Sequence, residues 1–149
     1  MEEWLSCALL YHGIWYTREY VRKGLPTSSG IENDLFRFLE EWFTPYPFLT
    51  VQTSGSTGMP KKLVIKKKQM MNSALNTCSF LHLQRGNRAL LCMPLRYIAG
   101  KMVVVRALVC NMELLLSEPS GHPMASLQEG IDFAALVPLQ VFNSLHYQS

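Results

Sequence analysis

Apolar residues recur at helical spacing over Ile31, Leu35, Phe38, Leu39 and Trp42, which predicts an amphipathic helix ended by Pro45 and Pro47. Ser29 and Glu32, just at its start, make a capping-box pattern. Ahead of it, Tyr11-His12-Gly13-Ile14-Trp15-Tyr16-Thr17 sets aromatic and β-branched residues around a glycine, the pattern of a small hairpin. Phe48 to Gln52 reads as a strand, and Leu63-Val64-Ile65 as a short buried one. Met71, Ala74, Leu75, Cys78 and Leu81 describe a second amphipathic helix ending near Arg85-Gly86. Ala89 to Met93 is an unbroken apolar run stopped by Pro94, as expected of a strand covered on both faces. Residues 98–110 read as a helix in spite of Val103-Val104-Val105. Met112 to Leu116 is a further strand, closed by Glu118-Pro119-Ser120-Gly121. Phe133 to Val137 is the last strand, and Pro138 is placed to begin a helix carrying Phe142 and Leu145.

This alternation implies an α/β fold, a largely parallel sheet with flanking helices. Residues 1–47 form an N-terminal hairpin and helix, and residues 48–149 the main α/β part. A chain of 149 residues suits one domain or part of one. The helix from Pro138 runs to the end of the chain, so the expectation is a leading piece of something larger.

Composition narrows the class. With 48% hydrophobic and 17% charged residues, the chain has the balance of a globular protein rather than a disordered one. No apolar run approaches the roughly 20 residues that cross a bilayer, so membrane insertion is not expected. The acidic start Met1-Glu2-Glu3-Trp4 lacks a basic leader, and a cytoplasmic location is expected. Cys7, Cys78, Cys92 and Cys110 lie in apolar surroundings without a Cys-x-x-Cys pair, which predicts four buried reduced thiols. His12, His82, His122 and His146 are scattered, so no metal-binding residues are expected.

The net charge of +3 is small but unevenly placed: Lys61, Lys62, Lys66, Lys67 and Lys68 crowd into eight positions. Such a patch attracts phosphate, or serves as a solvated face beside a strand. It has no interleaved aromatics and matches no nucleic-acid motif, so nucleic acid is not the expected partner.

The chemistry concentrates in Thr53-Ser54-Gly55-Ser56-Thr57-Gly58-Met59-Pro60-Lys61-Lys62. Gly55 and Gly58 permit close backbone approach, and consecutive N–H groups in such a turn make an anion nest. Ser54, Ser56 and Thr57 add hydroxyl donors, and Lys61 a mobile positive charge. Together they suit the β- and γ-phosphates of a nucleotide. A Walker A loop would need four residues between the glycines and Lys-Ser/Thr directly after, and this loop has neither.

Thr53 to Lys61 resembles the phosphate loop of adenylate-forming enzymes: acyl-CoA ligases, adenylation domains and luciferases. The one departure is Lys62, where glycine is usual. Pro94-Leu95-Arg96-Tyr97-Ile98-Ala99-Gly100 is similar to that family's next motif, Pro-Leu-Phe-His-x-x-Gly, with Tyr97 in the place of histidine. Leu136-Val137-Pro138-Leu139-Gln140 is similar to the Leu-Val-Pro-x-Gln segment of o-succinylbenzoate–CoA ligases, and Gly100 to Leu108 also looks like that subfamily. The resemblance covers residues 48–147.

The resemblance implies ATP, Mg2+ and CoA as co-substrates and cofactors, with a small carboxylic acid as partner. An acid is first joined to AMP and then passed to the thiol of CoA. It implies a phosphate-binding set of Thr53, Ser54, Gly55, Ser56, Thr57, Gly58 and Lys61. It also implies an acyl pocket at Tyr97, Gly100, Lys101 and Gln140. If the acid is a dicarboxylate, Arg96, Lys101 and Arg106 are the candidates for its second carboxylate. The family's Tyr-Gly-x-Thr-Glu motif, ribose-binding aspartate and C-terminal lysine domain have no counterpart here, so the 149 residues alone are expected to be inactive. Two alternatives stay open: a nucleotide- or pyrophosphate-holding module without chemistry, and a ligase for another aryl or acyl acid.

Overall fold

The structure, a computed structural model, describes residues 1–53, 58–123, 125, 127 and 130–147. A 3-10 turn, Glu3–Ser6, leads into the hairpin β1 (Leu9–Tyr11) and β2 (Ile14–Tyr16), then α1 (Arg18–Arg22) and α2 (Gly30–Trp42). β3 (Phe48–Thr53) and β4 (Lys61–Lys66) flank the glycine loop, and α3 (Lys67–Phe80) follows. β5 (Arg88–Leu91), α4 (Ile98–Cys110), β6 (Glu113–Leu116), β7 (Phe133–Ala134) and α5 (Pro138–Tyr147) complete the order.

The main sheet runs β2-β1-β6-β5-β7. β1, β6, β5 and β7 are parallel, and β2 is an antiparallel edge. The hairpin of residues 9–16 therefore shares one sheet with strands from the second half of the chain. β7 is only two residues long, shorter than the apolar run from Phe133 to Val137 suggests.

β3 and β4 stand apart as a two-stranded antiparallel ribbon with Phe48 opposite Lys66 and Thr53 opposite Lys61. A short loop can join antiparallel strands, whereas a parallel pair needs a long crossover, so neighbours in sequence pair with each other here. The ribbon buries one face only. Leu49 and Val51 are buried, but Leu63 and Val64 are 45% and 68% exposed, so the expectation of a buried strand at 63–65 fails. Their apolar character is real, but the ribbon lies outside the layer that would cover them.

α4 is the middle of the core. Val103, Val104, Val105, Ala107 and Leu108 are all buried, with α3 on one side and β1, β5 and β6 on another. β-branched residues are indifferent helix formers, and here burial outweighs that preference. Asn111 ends the helix in the left-handed region at φ 53°, and its side chain donates to the Ala8 carbonyl at 3.2 Å.

The start of α2 is capped otherwise than its sequence suggests. Ser29 makes no side-chain cap; the Ile31 N–H donates instead to Glu118 Oε1 at 3.0 Å, from the loop after β6. Glu32, the expected partner of Ser29, accepts from the Tyr11 hydroxyl at 2.5 Å. Gly30 sits at φ +60°, and a Cβ there would run into the Glu118 carboxylate.

The cysteines also depart from expectation. Cys78 and Cys110 pair as a disulfide between α3 and α4, with Cα atoms 7.0 Å apart. Cys7 and Cys92 are buried free thiols, each pushed up to about 11 chiefly by burial.

Candidate functional site

In an open parallel sheet, ligands bind in the crevice outside the carboxyl ends of the strands. Here that crevice is bordered by the segments leaving β5 at Leu91, β6 at Leu116 and β7 at Ala134. The segment after β5 is Cys92 to Tyr97. The ribbon comes to it: the Gln52 N–H donates to the Arg96 carbonyl at 3.3 Å, and Gln52 forms an isolated parallel bridge with Tyr97. Thr53 and Lys61, opposite each other at the ribbon's mouth, are thus held beside the motif that follows β5.

Of the residues expected from the sequence to bind phosphate, Thr53, Gly58 and Lys61 are described, while Ser54, Gly55, Ser56 and Thr57 lie outside the described residues. Gly58 is at φ +85° with open space around its Cβ position, a backbone that L side chains seldom adopt. Lys61 is exposed.

Tyr97 is half-buried and stands at the N-cap of α4, where its carbonyl accepts from the Lys101 N–H at 3.2 Å. The Arg96 guanidinium lies over its ring, 4.9 Å from the centroid. Gly100 is fully enclosed, and a Cβ there would meet the Pro94 carbonyl oxygen. Its smallness lets α4 close against the motif's own backbone.

Lys101 points toward α2, with its ammonium 5.3 Å above the Phe38 ring. Burial lowers its pKa, while Glu41 and Asp34 pull the other way. A cavity of about 340 Å³ opens here, with Arg37, Arg96 and Lys101 facing Asp34 and Glu41. Arg106 is not on it. Its guanidinium lies 5.4 Å over the Phe133 ring, and its Nε is buried with no acceptor among the described residues.

Gln140 is buried and fully engaged. Its Oε1 accepts from the Val137 N–H at 3.1 Å, and its Nε2 donates to the Cys92 carbonyl at 3.2 Å and the Ser120 carbonyl at 2.9 Å. One side chain thereby ties together the segments leaving β5, β6 and β7.

Two residues that position this region had no usable sequence signal. Gln52 reads as any polar strand residue, and its bridge to Tyr97 is a tertiary event. Lys67 reads as one of five clustered lysines, yet it is wholly buried. Its ammonium donates to the Glu41 carbonyl at 2.9 Å and to both oxygens of Thr44 at 3.0 Å, and lies 5.5 Å over the Trp4 ring. Its N–H donates to the Pro47 carbonyl at 2.8 Å, so it anchors the root of the ribbon.

No protein-family model matches the chain. It is 31% identical over 116 residues to 2-succinylbenzoate–CoA ligase of Haemophilus influenzae, which covers 78% of this chain and 25% of that enzyme. Among solved structures it resembles an acyl-CoA synthetase (AMP-forming)/AMP-acid ligase II-like protein from Dyadobacter fermentans. The TM-score is 0.78 at 33% identity, over 88% of this chain and 38% of that one. The fold is also shared with o-succinylbenzoate CoA synthetase of Bacillus subtilis, solved with the acyl-adenylate intermediate OSB-AMP. There the TM-score is 0.53 at 16% identity, over 90% of this chain and 37% of that one. The chain thus spans about a quarter of the length of the Haemophilus ligase.

Proposed function

We propose, for a chain whose homologues and structural neighbours are AMP-forming acyl-CoA ligases, that its crevice serves adenylation of a small carboxylic acid. The acid we favour is o-succinylbenzoate, the acid in the name of the Haemophilus relative, and with it a role in menaquinone synthesis. The observation that carries the reading is the bridge between Gln52 and Tyr97, which sets the mouth of the phosphate-loop ribbon beside the acyl motif.

In the reaction, a carboxylate oxygen of the acid attacks the α-phosphorus of ATP. The bond from that phosphorus to the bridging oxygen breaks, and pyrophosphate leaves. The thiolate of CoA then attacks the acyl carbon and expels AMP. The obstacle in the first step is charge, since an anion must approach a polyanion. Thr53, Ser54, Gly55, Ser56, Thr57 and Gly58 would hold the leaving phosphates by backbone and hydroxyl donors, and Lys61 would offset their charge. Their part is positioning, with no covalent intermediate on the protein. Among the described residues no group of three or more His, Cys, Asp or Glu could hold a metal ion. Mg2+ would arrive with the triphosphate.

On the acid side, Tyr97 and Gly100 would shape the wall and Gln140 would fix the strand exits. Lys101, with Arg96 on the same cavity, would meet the second carboxylate of a dicarboxylate. A carboxylate left unpaired in a closed site costs several kcal/mol, of order 3–5. A half-buried ammonium is a suitable partner.

The test is acid-dependent exchange of pyrophosphate into ATP by the complete product of the reading frame, with o-succinylbenzoate, benzoate and octanoate compared. Exchange that is fastest with o-succinylbenzoate, and at least tenfold slower in Lys61→Ala, supports the reading. Preference for a monocarboxylate would replace the acid and keep the chemistry. ATP binding without exchange for any acid would reduce the role to holding a nucleotide.

A further inference from the structure

The opposite end of the sheet carries a second concentration of positive charge. β2 runs antiparallel to its neighbours and ends, at Tyr16, beside their amino ends, so α1 and the 3-10 turn lie away from the crevice. α1 separates two cavities, of about 770 and 440 Å³, and Arg18 and Arg22 line both. The two arginines are four positions apart, so their side chains leave the same face of the helix, where like charges repel.

Among the described residues the ion pairs are Lys23 with Glu19 at 3.8 Å and Arg88 with Glu113 at 3.3 Å, so neither arginine is in one, although Glu40 shares the lining of the smaller cavity with both. Arg18 Nε is buried and has no acceptor among the described residues. An orphaned guanidinium nitrogen is costly to bury, and native structures supply such groups with a partner. In the larger cavity Arg18, Arg22 and Lys23 face a single carboxylate, Glu19, beside an apolar wall that includes Leu5 and Cys7.

We infer that Arg18 and Arg22 form a second anion site, separate from the crevice, which takes the phosphate group of a small phosphorylated ligand. Its apolar portion would rest on Leu5 and Cys7. The planar fork of guanidinium matches phosphate oxygens in pairs, and a dianion offsets both arginines where one carboxylate would not. A cavity of this size is in the range that holds small organic ligands. The site does not depend on the adenylation reading, and its failure would leave that reading untouched.

Calorimetric titration of the 149-residue chain with inorganic phosphate and pyrophosphate, at constant ionic strength, tests it. Binding should persist in Lys61→Ala, which lies at the other end of the molecule. Measured in the Lys61→Ala background, so that the β3–β4 loop does not contribute, it should weaken at least tenfold on adding Arg22→Gln, whose side chain is exposed. Arg18→Gln should do the same, and amide shifts on titration should fall on residues 17–23. Unchanged affinity in both glutamine variants overturns the site, and so does the loss of all phosphate binding in Lys61→Ala.

Discussion

The ammonium of Lys67 donates to both the carbonyl and the hydroxyl oxygen of Thr44, each at 3.0 Å, and so closes the C-terminal end of α2 with a buried positive charge. A cation suits a helix C-terminus, where the carbonyl groups lack partners. Trp4 joins the same cluster: its Nε1 donates to the Thr44 carbonyl at 2.9 Å, and its own carbonyl accepts from Trp42 at 3.1 Å. The 3-10 turn, the end of α2 and the base of the β3–β4 ribbon meet at this one lysine.

Burial outweighs the attraction of Glu41 and lowers the Lys67 pKa from 10.5 to about 8. The unfolded chain therefore holds this proton between about pH 8 and 10.5 while the folded chain has released it, and in that window stability rises with pH. The stability difference between wild type and Lys67→Met should move in favour of wild type by about 2 kcal/mol from pH 7.5 to 9.5. Urea denaturation of both proteins across that range measures it. A flat difference would mean that Lys67 keeps an ordinary pKa.

Glu118 and Gly30 should prove energetically coupled. Glu118→Ala removes the acceptor of the Ile31 N–H and should cost about 1 kcal/mol. Gly30→Ala forces a side chain into the left-handed region and against the Glu118 carboxylate, and should cost about 2–3 kcal/mol. In the double variant the clash is gone, so the total should fall short of the sum. Strict additivity in a double-mutant cycle would show that the two groups do not meet.

Gln140→Ala should destabilise by about 2–4 kcal/mol, because it strands one buried N–H and removes two interactions with carbonyl groups. Gln140→Glu should be no better, since a carboxylate would face the oxygens of Cys92 and Ser120. A change within about 0.5 kcal/mol for either, the ordinary scatter of surface substitutions, by thermal or chemical denaturation would leave Gln140 without a tying role.

Gly100→Ala should lower stability by about 2 kcal/mol or more, since the new methyl meets backbone at Pro94 rather than a side chain that can swing away. Thermal melting measures the loss. Wild-type stability in this variant would show that α4 and the motif before it separate easily.

What could be read from the sequence was what local chemistry dictates. The stripe from Ile31 to Trp42 placed α2 because a helix must bury one face, and the run from Ala89 marked a strand with no exposed side. Its cap could not be read, because Glu118 lies 87 residues from Ile31. Leu63 and Val64 misled for a related reason: an apolar triplet signals a strand but does not say whether anything will cover it. For the site, the order of residues from Thr53 to Lys61 carried the expectation of phosphate binding, and Ser54 to Thr57 lie outside the described residues. The cations near the acyl motif looked equivalent in sequence, and folding sorted them. Arg96 and Lys101 share a cavity, while Arg106 stacks on Phe133.

The two strands of the β3–β4 ribbon are fastened unequally. β3 is held along its length: Lys67 fastens its root, Leu49 and Val51 are buried in the core, and Gln52 bridges to Tyr97. β4 has no such cover, since Leu63 and Val64 are exposed. The ribbon thus has a fixed inner rail and an outer one that faces solvent. Thr53 ends the inner rail and Lys61 begins the outer, so of the two it is Lys61 whose position is set by its strand partner alone rather than by the core.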